Sequence, residues 1–352
     1  MPPQPSMMPL RLFAGFLIAL AGALLAVHLD LPLPWMLGPL LATAATRIRG
    51  MQTVCPAPLR NAGQWVIGTS LGLYFTPQVV GHVVDHAPAI VAGMVFPVLL
   101  CGLGAILMQR FAKVDFQTAW FSCAIGGASE MTTLAERHGA NLERVATAHS
   151  VRILLVVMIV PFLFQAWGVA GLDPSLPGTA RVDPPGLFLL VALTCASAFL
   201  FAWRKLPAPW ILGPLAVAMG LTTQDVSLSA LPAVVTAGGQ LLIGWSLGDR
   251  YRPGFFRGAP SLVLTAALYT VLSLLLAAGF ACLLVLFTDV PLPTLILGTT
   301  PGGIAEMAIT AKVLQLGVPV VTAFHVTRMV FVVLVTGPLY RLVSRKKSAE
   351  KP

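Results

Sequence analysis

The sequence has few charged side chains. Only 10% of its 352 residues are Asp, Glu, Lys or Arg, whereas 57% are hydrophobic. Because a soluble domain carries about 25% charged residues, this chain has too few charges to cover a surface in contact with water. The composition therefore predicts an all-α polytopic membrane protein.

Patterns that hold metals, disulfides or phosphates are also missing. The five cysteines are scattered, without Cys-x-x-Cys or metal-ligand spacing. His82 and His86, with Asp85 between them, resemble a metal pair at i, i+4. They lie in a predicted external loop and have no copy in the second half, so a surface loop is the favoured interpretation. No phosphate-binding Gly loop and no Ser-His-Asp order is found. We therefore expect no metal, no cofactor and no enzymatic activity. The net charge of +9 is attributed to basic cytoplasmic loops. Since no domain is large enough to bind DNA, we expect no direct nucleic-acid binding.

A set of polar and glycine-rich motifs occurs twice in the chain. Ile125 to Arg152 contains a Gly-Gly pair, a glutamate and a His-x-x-Arg pair, and these return 176 positions later (302 minus 126). Two further motifs are also duplicated. Pro-Trp-x-Leu-Gly-Pro occurs at 34–39 and 209–214, and Gly-Gln-x-x-Ile-Gly-x-Ser-Leu-Gly occurs at 63–72 and 239–248. This duplication predicts two homologous membrane repeats.

The boundaries of the repeats follow from composition. We place the first repeat at 10–170, a linker rich in Pro, Gly and Asp at 171–185, and the second repeat at 186–345. A basic cytoplasmic tail follows at 346–352.

Loop charges predict that the two repeats have opposite orientations. Arg110 and Lys113 follow the fourth apolar segment of the first repeat, whereas the matching loop of the second repeat contains Asp289. Three other pairs of homologous loops differ in the same way, so the positive-inside rule favours inversion. Inversion requires an odd number of crossings, but each repeat has six apolar segments. We therefore expect a Gly-broken re-entrant fifth segment, about five crossings per repeat, and both termini in the cytoplasm.

Broken helices in inverted repeats are typical of secondary transporters. Gly126, Gly127, Gly302 and Gly303 permit such a break. Each break is followed by a glutamate, and ionisable residues within a membrane are functional candidates. The four glycines and the two glutamates are predicted to form a transport or ion-binding site, the glutamates being Glu130 and Glu306. The alternative is a first-turn glutamate stabilised by the helix dipole or by a structural ion pair.

Two His-x-x-Arg pairs complete the predicted site. His149 and Arg152, like His325 and Arg328, are three residues apart and share a helix face. One interpretation is an anion clamp with a titratable neighbour. The other is an arginine that pairs with the glutamate of its own repeat or extends to the membrane interface.

The Pro-Trp-x-Leu-Gly-Pro motifs are interpreted as structural. Their prolines are expected to form a turn and begin a helix. The alternative is a second broken helix that lines the pathway.

The four paired motifs resemble the AbrB-type duplicated membrane proteins of Gram-negative bacteria over nearly the whole chain. Members of this family carry labels such as ammonia monooxygenase or AbrB family regulator. The resemblance implies a location in the bacterial inner membrane. The architecture also looks similar to the inverted-repeat cation/proton antiporters and anion transporters. That similarity implies that Glu130, Glu306 and the adjacent glycines line the site.

Three functions compete at this point. The favoured one is a secondary transporter or exchanger of a small ionic or polar solute. A membrane regulator of gene expression that acts indirectly is the alternative. A monooxygenase is less favoured, because only six histidines are present and most of them are dispersed. The expected partners are the lipid bilayer, the solute and a second copy in a homodimer.

Overall fold

The computed structural model describes residues 8–169, 171, 177–179, 181–256 and 258–349. Within these ranges every regular element is an α-helix. Fifteen helices follow one another: α1 (Met8–His28), α2 (Pro34–Ile48), α3 (Ala57–Gly72), α4 (Pro77–Asp85), α5 (Ala87–Phe111), α6 (Phe116–Cys123), α7 (Ala128–Arg137), α8 (Leu142–Ala166), α9 (Pro184–Trp203), α10 (Pro209–Thr223), α11 (Ala233–Gly248), α12 (Pro260–Val285), α13 (Leu292–Thr299), α14 (Ile304–Leu314) and α15 (Val318–Ala349). Parts of the predicted linker and residues 350–352 of the predicted tail lie outside the described ranges.

Six helices are long and apolar enough to cross a membrane: α1, α5, α8, α9, α12 and α15. Each has at least 20 residues, which is the length that a bilayer core of about 30 Å requires. Large apolar side chains on these helices are exposed, including Phe188 (77%), Leu99 (67%) and Leu275 (66%). Such surfaces suit contact with lipid rather than water. The chain is therefore an all-α polytopic membrane protein, as its composition predicts.

The helices repeat in order. Helices α1–α3 and α5–α8 correspond to α9–α15, and α4 is an additional helix in a segment for which we predict a loop. Its valines recur at helical spacing, which explains the difference. Helices α2, α3, α10 and α11 have 15 or 16 residues. At 1.5 Å per residue these span about 23 to 24 Å, so the number of ten crossings stays a prediction.

The chain forms two compact units, and each contains segments from both repeats. Unit 1 comprises Met1–His82, Met158–Gly258 and Ala308–Pro319, and therefore includes α1–α3 and α9–α11. Unit 2 comprises Val83–Val157, Ala259–Met307 and Val320–Pro352, and includes the short helices α6, α7 and α13. The predicted repeat boundaries remain a prediction.

In unit 1 the duplicated motifs pack against each other across the repeats. A Cβ on Gly72 of α3 would lie 2.7 Å from the carbonyl oxygen of Leu215 on α10. A Cβ on Gly248 of α11 would lie 2.5 Å from the carbonyl oxygen of Leu40 on α2. Only glycine permits backbones to approach so closely. The Gly-x-Ser-Leu-Gly helix of each repeat thus packs on the Pro-Trp-x-Leu-Gly-Pro helix of the other.

The prolines of these motifs begin helices, as predicted. Pro34 and Pro209 are the first residues of α2 and α10, where a missing N–H costs nothing. The preceding residues, Leu33 and Ala208, are left-handed with φ of 52° and 40°. The turn therefore reverses the chain just before each helix, which supports the structural interpretation of the motif.

Candidate functional site

All ten predicted site residues lie in unit 2, around two breaks in the helical backbone. The first break separates α6 from α7, and the second separates α13 from α14. Ala124 and Thr300, which end the first helix of each pair, are both extended, with ψ of 123° and 137°. Pro301 follows Thr300, and a residue before proline avoids helical backbone. The predicted Gly-broken segments are therefore present at equivalent positions in both repeats.

The two glycines of each break make room for two side chains that follow them. A Cβ on Gly126 would lie 2.8 Å from Cε of Met131, and a Cβ on Gly302 would lie within 3 Å of Sδ of Met307 (2.9 Å). Gly127 (φ −62°) has ordinary backbone, so its conformation does not require glycine. The glycines are thus needed for space.

The second glycine of each pair lies under the glutamate carboxylate. A Cβ on Gly127 would overlap Oε2 of Glu130, and one on Gly303 would overlap Oε2 of Glu306. Each glutamate is the third residue of its helix, and its side chain folds back over the residue before the helix. This arrangement resembles the glutamate half of a capping box, and it places negative charge at the positive end of the helix dipole. The structure therefore shows the first-turn arrangement that was the alternative interpretation of these glutamates.

The two histidines bind the ends of the helices that precede the breaks. His149 Nε2 lies 3.0 Å from the Phe121 carbonyl oxygen of α6, and His325 Nε2 lies 2.9 Å from that of Leu297 on α13. His325 Nδ1 also lies 2.7 Å from Nη2 of Arg328. Arginine can only donate and a carbonyl can only accept, so Nδ1 must accept and Nε2 must carry the proton. The hydrogen bonds therefore select the neutral Nε2–H tautomer of His325.

The two arginines donate to carbonyl groups at the breaks. Arg152 Nη1 donates to the Ala124 oxygen at 3.1 Å, and Arg328 Nη1 donates to the Thr300 oxygen at 2.6 Å. The last carbonyls of a helix have no intrahelical partner and carry partial negative charge. Both guanidinium groups thus stabilise the C-terminal end of the first helix of a pair.

Beyond this shared bond the two arginines differ. Arg328 Nη2 donates also to the Gly302 oxygen at 2.6 Å and to His325. Arg152 donates from Nη1 to Ala124 alone in the part of the chain that the structure describes. Both side chains are buried, with 5% of Arg152 and 4% of Arg328 exposed. The Nε atom of each is buried without a hydrogen-bond partner among the described residues. The same His-x-x-Arg motif therefore makes different hydrogen bonds in the two repeats.

Electrostatic contacts link the two repeats within unit 2. Arg152 interacts with the carboxylate of Glu306, which belongs to the other repeat and is 7% exposed. Arg152 also lies close enough to Arg328 for the two positive charges to repel each other. Arg152 thus has an electrostatic partner in the other repeat, whereas the His-x-x-Arg motif alone favours the glutamate of its own repeat.

Sequence reasoning missed Tyr269, whose hydroxyl donates to the Leu100 oxygen at 3.0 Å and lies near Arg152. The signal was a lone tyrosine in the apolar helix α12, in a chain with only four tyrosines. The carbonyl partners of the arginines have no signal in the sequence. Among the described residues, no group of three or more His, Cys, Asp or Glu side chains is placed to hold a metal ion.

Comparison with known proteins agrees with the resemblance of the motifs. The chain is 27% identical over 364 aligned positions to "Uncharacterized protein YhjN" of Bacillus subtilis strain 168, which covers 96% of this chain and 92% of that protein. It is 24% identical over 321 positions to "Putative regulator AbrB" of Escherichia coli strain K12, covering 89% of this chain and 90% of that protein. A family described as "Transition state regulatory protein AbrB" matches residues 35–344, which include every residue of the site. The chain therefore belongs to the AbrB family.

Proposed function

We propose that the chain is a secondary transporter or exchanger of a small ionic or polar solute in the bacterial inner membrane. The observation that supports this proposal is the pair of broken helices in unit 2. Each break frees backbone groups from the hydrogen bonds that a continuous helix would give them, and ionisable side chains lie around each break. In lipid, irregular backbone is stable only where protein or a wet cavity surrounds it. The paired breaks provide such a place for a polar solute.

The burial of the arginines supports function beyond folding. A charged side chain within an apolar protein is costly, and carbonyl oxygens neutralise it only partly. Simple closure of the helix ends could be achieved with neutral donors. The two breaks are surrounded by two arginines, two glutamates and two histidines. This set of side chains favours a site that binds a charged solute.

Reconstitution tests this function directly. The purified chain would be incorporated into proteoliposomes on a solid-supported membrane, and charge displacement recorded after concentration jumps of sodium, potassium, ammonium, acetate, succinate, phosphate and sulfate. We expect a saturable current for at least one solute. An Arg152→Ala/Arg328→Ala protein that still folds should give none. Currents no larger than those of empty liposomes, together with no uptake of the same solutes in radiolabelled form, would contradict the proposal.

The inverted arrangement of the repeats has its own test. Lys113 and Asp289 occupy equivalent positions, 176 residues apart (289 minus 113), just before the broken segments. In a cysteine-free background, we expect a membrane-impermeant maleimide to label Asp289→Cys from the periplasm of intact cells. Lys113→Cys should be labelled only after permeabilisation. Labelling of both from the same side would contradict the inverted repeat.

The printed name of the Escherichia coli relative favours a second candidate, a membrane regulator of gene expression. Regulation by this chain would act indirectly, through the level of a solute or through a partner. Transcript profiling distinguishes the two functions. Transcript changes that persist in a strain with a folded but transport-inactive variant would favour the regulator. Changes that disappear together with transport would make regulation a consequence of solute flux.

A further inference from the structure

We propose that the solute is an oxyanion, a carboxylate or a tetrahedral anion, and that Arg152 binds it while Arg328 positions the second break. This inference rests on the proposed function and specifies its substrate class. It assigns different roles to two arginines that the sequence repeats faithfully. The assignment follows from the hydrogen-bond donors that each guanidinium has left.

A guanidinium group has five N–H donors and carries its charge at every physiological pH. Arg328 directs three of them to the Thr300 oxygen, the Gly302 oxygen and His325. Arg152 directs one to the Ala124 oxygen within the described residues. Because only 5% of Arg152 is exposed, its remaining donors are largely shielded from water. Its Nε is buried without a hydrogen-bond partner among the described residues. A buried donor of a charged group that lacks a partner is costly, so Arg152 is suited to bind an added acceptor.

The geometry of the remaining donors selects the class of acceptor. Carboxylates and phosphates bind arginine through two parallel N–H bonds, and one favourable edge of the guanidinium consists of Nε and Nη2. In Arg328 this edge is closed, because Nη2 is bonded to Gly302 and His325. In Arg152 the bond to Ala124 uses Nη1, and Nε has no partner among the described residues. Arg152 therefore keeps the edge that a bidentate oxyanion requires.

The surrounding charges agree with an anionic ligand. Arg152 and Arg328 are close enough to repel each other, so a negative charge near both would stabilise the pair. The negative charge of Glu306 also attracts Arg152, but its carboxylate is folded over Gly303 at the beginning of α14. An oxyanion bound at Nε and Nη2 would thus give Arg152 hydrogen-bond partners beyond Ala124. Arg328 already has such additional partners within its own repeat.

Ligand-dependent stabilisation tests the assignment. The apparent melting temperature of the detergent-purified full chain would be titrated with sodium acetate, succinate, phosphate, sulfate and chloride at constant ionic strength. A ligand that binds the folded state raises this temperature in a saturable manner. We expect at least one oxyanion to do so, and chloride to have a smaller effect because it cannot bind in a bidentate way.

Arginine-to-lysine variants separate binding from structure. Lysine keeps the charge but loses the bidentate edge. Arg152→Lys should weaken the oxyanion by about 30-fold or more. Arg328→Lys should lower the melting temperature of the unliganded protein more, yet weaken the oxyanion less. Arg47→Lys is the control in unit 1, where Arg47 pairs with Asp249 at 3.3 Å, and it should leave the affinity unchanged.

Each contrary result has a defined meaning. Equal loss of affinity in Arg152→Lys and Arg328→Lys would overturn the division of roles. Stabilisation that survives in Arg152→Ala and Arg152→Lys, or that none of the five anions produces, would overturn the anion assignment. If the currents of the reconstituted protein then follow sodium, potassium or ammonium, the transporter proposal stands with a cationic solute. If no solute gives a current and none is taken up in radiolabelled form, the transporter proposal itself fails.

Discussion

The two breaks of unit 2 have the same sequence motif but differ in the number of hydrogen bonds that their arginines make and in the burial of their glutamates. At the second break Arg328 bonds two carbonyl oxygens and His325, and Glu306 is 7% exposed. At the first break Arg152 bonds one carbonyl oxygen, and Glu130 is more exposed. The comparison shows that a duplicated motif supplies the same atoms twice, while the local packing decides how many of them are used. At the second break the arginine makes three hydrogen bonds within its own repeat, whereas at the first break the arginine makes one.

The largest expected effect comes from truncating the arginines. Arg328→Ala removes three hydrogen bonds and leaves two carbonyl groups without a charged donor, so it should cost about 3–5 kcal/mol of unfolding free energy. Arg152→Ala removes one such bond and should cost about 1.5–3 kcal/mol. Unfolding in mixed detergent micelles with increasing dodecyl sulfate measures both. A larger loss for Arg152→Ala would reverse the comparison between the breaks.

The glycines beneath the glutamates should show a smaller difference in the same direction. In Gly303→Ala the new Cβ overlaps the Glu306 carboxylate, which must leave its position over the helix terminus. We expect a cost of about 2 kcal/mol, the upper end for a lost helix cap. Gly127→Ala should cost about 1 kcal/mol, because the displaced Glu130 carboxylate can reach solvent more easily. As a control, Gly102→Ala, where a Cβ meets nothing within 4 Å, should be neutral or stabilising.

Both glycine variants can be checked in the same detergent titration. Equal costs for Gly127→Ala and Gly303→Ala would mean that burial of the carboxylate does not distinguish the breaks. No cost in either would mean that the glutamates do not need the position over the glycine.

The smallest effect is expected for Pro301→Ala. The first break has Ile125 at the equivalent position, and Ala124 before it is extended without a following proline. Proline at 301 therefore acts mainly by restricting the unfolded chain, and its loss should cost about 1 kcal/mol or less. Transport currents of the variant should match those of the wild type. If Pro301→Ala abolishes them, the second break depends on proline, which the first break does not need.

The sequence predicts the helical membrane class, the duplicated motifs and the two breaks, and the transport role of the ten residues around the breaks stays a prediction. Each of these features can be recognised in short stretches of the sequence, as apolar runs, repeated motifs and paired glycines. The sequence does not predict that Arg152 and Arg328 bond backbone carbonyls, because every residue has such a group. It also cannot show that Gly72 packs on α10 of the other repeat, since that contact joins distant parts of the chain. Helix α4 is not predicted, because its nine residues lie between two longer apolar segments and are assigned to the loop that joins them.

The difference between the two arginines is the feature of the site that the sequence predicts least. The motif His-x-x-Arg is the same in both repeats, and the hydrogen bonds from Nη2 of Arg328 to Gly302 and His325 are what distinguish its role. Such a difference depends on the position of the carbonyl groups to a few tenths of an ångström. It is therefore visible only in the folded chain.

The most direct test compares Arg152→Lys with Arg328→Lys in one series of solid-supported-membrane recordings, at matched amounts of folded protein. For the oxyanion that stabilises the wild type, we expect Arg152→Lys to remove nearly all of the current at the concentration that half-saturates the wild type. Arg328→Lys should keep a measurable part of it. Equal currents in the two variants, whether both lost or both intact, would contradict the division between a binding arginine and a positioning arginine.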